Sequence, residues 1–295
     1  MAAPFRKKGA NMKRKLMISF AVLLLLAGAV FAVYPAVANY VNEKYQSTVR
    51  SEFEDEVQEI DNTALEAMRA AAEQYNESMF PVQFAKEGLE AASVDYHDLL
   101  DPSGSGIMGY IEIPKISVDL PIYHGTAEEV LQAGVGHMIG SSLPVGGEGC
   151  HSVLTGHSGV AEKKLFSDLD QLAVGDKFYL KVLDETLAYE VTEINTVLPH
   201  ETEPLSLVPG EDLCTLVTCT PFGVNTHRLL VRGRRVAYEP EAPAQPAAEQ
   251  EPAPPAKSTW KTQYMQGLEL GGGIVGSSIL LFIVLLIRRK KGGRA

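Results

Sequence analysis

The stretch TLVTCTPFGVNTHR, residues 215–228, ends an apolar, β-like run in Cys219 and places Arg228 nine residues further on. A thiolate is a strong nucleophile. A guanidinium beside it favours the ionised sulfur and can donate hydrogen bonds to an oxyanion. Acyl transfer by cysteine also needs a group that hands a proton to a leaving amine, ordinarily histidine. Of the seven histidines, His157 in LTGHSG is best placed, at the end of a β-like run between Gly156 and Gly159. His151, next to Cys150, and His227, next to Arg228, are its rivals on spacing alone. The competing reading of Cys219 is a small buried hydrophobe, which is what an unpaired cysteine usually is. Cys214, in mid-strand among apolar neighbours, fits that description better. Cys150 and His151 have no second ligand pair nearby, so no metal site and no cofactor is expected.

These residues need strands to hold them. Alternation puts Leu213, Thr215, Val217 and Cys219 on one face and Cys214, Leu216 and Thr218 on the other. In the following run Arg228, Leu230 and Arg232 share a face, with His227, Leu229 and Val231 opposite. The connection TPFGVNT carries Pro221, Gly223 and Asn225, so the two runs read as a hairpin with Cys219 and Arg228 at its mouth. From Met108 onward short β-like runs are divided by Gly, Pro and Asp, which predicts a mostly antiparallel barrel or sandwich of about eight strands. KLFSDLDQL (164–172) reads as a short helix between strands. Upstream, residues 42 to about 100 read as helical: 62–79 is rich in Ala, Glu and Met and ends before Pro81, and 82–100 is a second helical stretch. DPSGSG (101–106) is a loop. EPEAPAQPAAEQEPAPPAK (239–257) cannot build a core and reads as an extended linker.

Charge divides the chain further. The net charge is −11, yet the first fifteen residues hold six basic residues and no acid, and the last eight hold five and no acid. Residues 16–287 therefore carry −22, which argues against nucleic acid as a partner. Both basic clusters abut apolar runs, 16–33 and 271–287, each near the roughly 20 residues that cross a bilayer as a helix. Positive-inside bias places both termini in the cytoplasm and the acidic middle outside. A cleaved signal peptide, with AVA (36–38) as the small-residue site, is the alternative for the first run. Three cysteines leave at least one thiol unpaired. Cys214 and Cys219 are too far apart along one strand to bridge, while a Cys150–Cys214 bridge stays open.

TLVTCTPFGVNTHRLLVRG (215–233) resembles the active-site cysteine strand and following arginine strand of sortases, the cysteine transpeptidases of Gram-positive surfaces. HSVLTGHSG (151–159) is similar to the family's histidine motif, and GYIEIPKISVDLPIYHGT (109–126) to its opening strands. The resemblance covers residues 95–236. It implies a sortase-type closed β-barrel with short helices, preceded by an N-terminal helical segment with a lid and flanked by two transmembrane helices. It also implies a triad of Cys219, His157 and Arg228 acting on LPxTG-like sorting signals. The second apolar run and the phrase TPFGVNTHRLLVRG resemble the class C, pilin-polymerising branch. That branch implies pilin partners with such signals and a nucleophilic lysine. Members of the branch often carry an Asp-Pro-aromatic lid. Asp101 and Pro102 match it, whereas Ser103 stands where the ring would be.

The expected order is then a basic cytoplasmic N-terminus (1–15), a membrane helix (16–38), an extracytoplasmic helical segment with a lid loop (39–106), the barrel (107–238), a Pro-rich linker (239–268), a second membrane helix (269–287) and a basic cytoplasmic tail (288–295). A hydrophobic tail followed by basic residues is also the shape of a sorting signal. Residues 258–270 contain no LPxTG, so the chain reads as the enzyme rather than its substrate. Alternatives from other classes are a wall-anchoring sortase, a cysteine protease and a non-catalytic assembly factor on the same fold.

Overall fold

The computed structural model describes residues 7–79, 96–160 and 163–239. Eight strands close into one barrel: β1 (Ile107–Ile113), β2 (Val118–His124), β3 (Val135–His137), β4 (His151–Thr155), β5 (Lys177–Val182), β6 (Glu185–Val197), β7 (Leu213–Thr220) and β8 (His227–Val236). Neighbours follow the order β1-β2-β3-β4-β7-β8-β6-β5, and β5 returns to β1. This decides between barrel and sandwich. Six of the eight pairings are antiparallel, while β2–β3 and β4–β7 are parallel. Parallel neighbours need a crossover. Between β2 and β3 the short helix α3 (Glu128–Ala133) supplies it, and between β4 and β7 the chain makes a detour through β5 and β6. β6 is the longest strand, and its register shifts between Val191 and Glu193, a bulge of the kind that lets a strand bend around a barrel.

Binary patterning decides what each face meets. Cys214 and Leu216 on β7, and Leu229 and Val231 on β8, point into the main core with Tyr110, Ile111, Leu154, Phe178 and Val191. The alternate residues Val217 and Leu230 point outward and form a second, smaller cluster with Val153 and Leu205. Leu205 belongs to the 198–212 connection, which therefore lies over the outer face of β4, β7 and β8.

Two helices precede the barrel, α1 (Lys7–Glu59) and α2 (Asn62–Met79). α1 runs through the expected boundary at 38/39 as one helix, with Pro35 inside it. The chain divides into two units, 1–40 with 261–295, and 41–260. In the first, the described part of α1 exposes Leu16, Phe20, Leu23, Leu26 and Val30. Among the described residues this is the one helix long and apolar enough to cross a bilayer. The expected second span, 269–287, lies outside the described residues, as do most of the 82–100 stretch and nearly all of the 239–268 linker.

In the second unit both helices dock on the barrel. Phe53 and Val57 of α1 and Leu65 and Ala72 of α2 are buried in the main core, and Phe53 meets Tyr110 at 5.5 Å between ring centroids. Polar contacts fix the docking. Arg50 reaches Glu54 at 2.7 Å, Glu112 at 2.6 Å and also Asp119. Arg69 pairs with Asp184 at 2.8 Å and with Glu185. Buried Asn76 donates to the Leu143 carbonyl at 3.1 Å and accepts the Leu143 amide at 2.6 Å.

One predicted element differs. Residues 164–172 form turns and a single 3-10 turn, Leu169–Gln171, rather than a helix. Leu165 has φ +42°, a left-handed conformation that a right-handed helix cannot contain. Leu165, Phe166, Leu169 and Leu172 are nonetheless all buried, so the apolar spacing reflects core contact without a helix.

Candidate active site

β7 and β8 pair as a hairpin whose register sets Cys219 directly opposite Arg228. Directly opposed residues on one face of an antiparallel pair have Cβ atoms about 4.5–5.5 Å apart, so thiol and guanidinium share a face at the loop mouth. Both side chains are half-buried. Arg228 Nη1 donates to the carbonyls of His227 at 3.0 Å and Asn225 at 3.3 Å, which holds the guanidinium near its own turn.

His157 comes from the other side. β4 runs parallel to β7 with Thr155 opposite Val217. The Gly156 amide continues the ladder to the Val217 carbonyl at 3.0 Å. Thr218 Oγ1 donates to the Gly156 carbonyl at 2.7 Å, and Ser158 Oγ donates to the Cys219 carbonyl at 2.7 Å. The residues on either side of His157 are thus bonded to the residues ending at Cys219, which brings the histidine loop alongside the cysteine strand. Glycine is required here, because a Cβ on Gly156 would lie 2.8 Å from the Phe166 ring. The His157 side chain is 26% exposed, and its Nε2 lies 3.4 Å from Glu128 Oε1 on α3.

The rival histidines occupy different settings. His151 is fully buried. Its Nδ1 donates to the Ser206 carbonyl at 2.9 Å, and its Nε2 accepts from Thr215 Oγ1 at 2.7 Å. Burial pushes its pKa down to about 4, so it stays neutral and structural. His227 stands opposite Thr220 and bonds Thr226 Oγ1 at 2.9 Å. The thiols divide in the same way. All three cysteines are free, so no Cys150–Cys214 bridge forms. Cys214 is completely buried, and burial pushes its thiol well up. Burial also raises the half-buried Cys150 thiol. Among the described residues no group of three His, Cys, Asp or Glu is arranged to hold a metal.

The expected lid residues lie in the turn that precedes β1. Asp101 Oδ1 accepts the Gly106 amide at 2.9 Å, and Ser103 Oγ lies 2.5 Å from Ser105 Oγ. These bonds close the turn on itself. The turn leads into the first residue of β1, which is beside Tyr123 at the exit end of β2. Followed from pair to pair, Tyr123 is level with Gly136, Gly136 with Thr155 and Thr155 with Val217. The structure brings Cys219, Arg228 and the His157 loop together, while the hydrogen bonds of Asp101 and Ser103 close within their own turn. Two contacts were not read from the sequence. Ser158 lies inside the quoted histidine motif and was legible as part of it. Glu128 sits in an ordinary helical run and carried no local signal.

Residues 111–236 match the family model described as the sortase domain. Sortase A of Bacillus anthracis is 31% identical over 152 residues, spanning 50% of this chain and 70% of that protein. In structure the chain is similar to sortase C1 of Streptococcus agalactiae, with 45% identity and a TM-score of 0.63 over 65% of this chain and 100% of the other. Sortase C of Streptococcus pneumoniae, whose structure was reported for its bearing on catalysis and pilin substrate specificity, is 44% identical with a TM-score of 0.59 over 65% of this chain and 97% of the other.

Proposed function

The chain belongs to the sortase family, with class C enzymes as its structural neighbours, and from that membership we propose that it is a membrane-anchored transpeptidase that joins pilin subunits into covalent polymers. The observation that carries the reading is the pairing of Cys219 with Arg228 across the hairpin, with Ser158 tying the His157 loop to the same cysteine.

The residue roles follow from their chemistry. Cys219, as thiolate, attacks the carbonyl carbon of the threonine in an LPxTG-like signal. Arg228 offsets the negative charge that develops on the carbonyl oxygen and orients the peptide. His157 gives its proton to the departing glycine amine, leaving a thioester on Cys219. A pilin lysine amine then attacks the thioester, loses a proton to His157 and expels the thiolate as the isopeptide bond forms. Residues 16–38 and 269–287 serve as membrane helices that hold the barrel, 107–238, on the outer face where secreted subunits emerge, with both termini in the cytoplasm. A wall-anchoring sortase would run the same chemistry with a peptidoglycan amine. The 45% and 44% identities to sortases C, against 31% to a sortase A, favour the lysine.

The test is acyl transfer by the full chain in detergent micelles, with an LPxTG-tailed pilin peptide and a lysine-containing pilin peptide. The expected product is the isopeptide-linked pair. Cys219→Ala should lower its rate by at least about a thousandfold, because the nucleophile itself is gone. Unchanged product from Cys219→Ala would overturn the catalytic role, and hydrolysis without transfer would overturn the transpeptidase reading.

A further inference from the structure

We propose that Glu128 is a positioning residue for the histidine of the reaction: its carboxylate holds the Nε2–H of His157, so that Nδ1 is the atom that exchanges protons with the departing and incoming amines. The proposal rests on the assignment of His157 as the acid–base group.

The contact is built rather than incidental. Glu128 Oε1 lies 3.4 Å from His157 Nε2. The same oxygen accepts from Gln132 Nε2 at 2.9 Å, one helical turn along α3. Lys163, on the loop that follows His157, donates to the carbonyl of that same Gln132. The loop and the helix are therefore joined twice, once by side chains and once through the backbone. The backbone of the loop is pinned as well, by Ser158 to the Cys219 carbonyl and by the Phe166 amide to the His157 carbonyl at 3.0 Å. A pinned backbone leaves rotation about the side-chain torsions as the ring's remaining freedom. A carboxylate at one ring nitrogen takes up that freedom, because only a protonated nitrogen can face it. The Glu128 carboxyl is itself held below the ordinary range, first by the Gln132 hydrogen bond and then by the histidine.

One consequence follows from the partners' chemistry. The carboxylate orients the neutral ring by hydrogen bonding, which glutamine can also do. Alanine cannot, so the two substitutions separate orientation of the ring from the mere presence of a side chain. Among the described residues, the charged and titratable groups on the elements around the ring include Glu128 and Glu129 on α3, Lys163 and Lys164 on its own loop, and Cys219 and Arg228 on the hairpin. Of these, Glu128 has its carboxylate at Nε2.

The experiment measures kcat and KM of acyl transfer for the full chain in detergent micelles, with Glu128→Ala, Glu128→Gln and His157→Ala. Glu128→Ala should lower kcat about tenfold, below the roughly 10²–10⁴-fold that the acid–base group itself contributes, and leave KM within about twofold. Glu128→Gln should recover most of kcat. A loss of kcat in Glu128→Gln as deep as in Glu128→Ala would overturn the proposal, because restoring a hydrogen-bond acceptor must restore the ring's orientation if orientation is what Glu128 supplies. Glu128→Ala with kcat within twofold of wild type would overturn it equally. Full activity in His157→Ala would instead remove the acid–base assignment on which the proposal rests. The two failures are therefore distinguishable.

Discussion

At the residue scale, the chemistry of each thiol follows from where it sits. Cys219 is half-buried opposite a guanidinium, whereas Cys214 is completely covered and its thiol is pushed well up by burial. Under iodoacetamide the native protein should therefore be modified at Cys219. Cys214 should react at least about a hundredfold more slowly, since exposing it requires local opening. Peptide mass spectrometry over a time course measures both rates, and equal labelling of the two thiols in native protein would refute this division. Strand alternation in the sequence already set Cys214 and Cys219 on opposite faces, and the structure shows that the Cys214 face points into the main core. It could not separate His157 from His151. His151 is buried and clamped between Ser206 and Thr215, 55 and 64 residues away, and contacts at that separation leave no local pattern.

At the scale of elements, the β7–β8 hairpin was readable because Pro221, Gly223 and Asn225 interrupt two alternating runs, and its register sets Cys219 opposite Arg228 as that reading placed them. The 164–172 helix was misread because four buried apolar residues mimic a helical stripe, while the left-handed turn at Leu165 has no signature in a leucine. At DPSGSG the structure adds that the Asp101 carboxylate accepts the Gly106 amide where β1 begins, a contact within the turn. The docking of α2 also escapes the sequence, since it depends on Asn76 meeting the Leu143 backbone across 67 residues. Asn76→Ala leaves a buried amide and a buried carbonyl without partners, at about 1–3 kcal/mol for each group left bare. Thermal or urea unfolding of the barrel unit should show a loss in that range, and a change below about 0.5 kcal/mol, typical of an inconsequential surface substitution, would mean that Asn76 does not anchor the helix.

At the scale of the whole molecule, stability is tied to pH through two buried histidines. His137 accepts from Tyr96 at 2.8 Å and donates to the Ser142 carbonyl at 2.9 Å. Burial lowers it to about 4, as it does His151. Both are neutral in the folded barrel and protonated in the unfolded chain below an ordinary histidine value of about 6.5. Their contribution is therefore fully present above about pH 6.5 and is lost as pH falls toward 4, on the order of 3 kcal/mol each. Asp119 and Asp212, whose carboxyls burial raises, oppose this trend in acid, so the histidine contribution is isolated by substitution. The melting temperature of the wild type should fall between pH 6.5 and 4.5, and His151→Gln should flatten part of that slope; identical slopes would refute the linkage. The sequence by itself determined the two apolar runs with their basic flanks, the strand-rich middle, and the candidate residues Cys219, His157 and Arg228. Periodicity, charge and short motifs are local properties, and they survive in a string of letters. Only the tertiary structure decided that two of the barrel's seams are parallel, and that α1 and α2 dock through Arg50, Arg69 and Asn76. It alone seated His151 in a neutral clamp and put Glu128 against His157. Each of these depends on closing long loops to join residues far apart in the chain, and that pairing is specified by packing and hydrogen-bond satisfaction in three dimensions rather than by any neighbour in sequence.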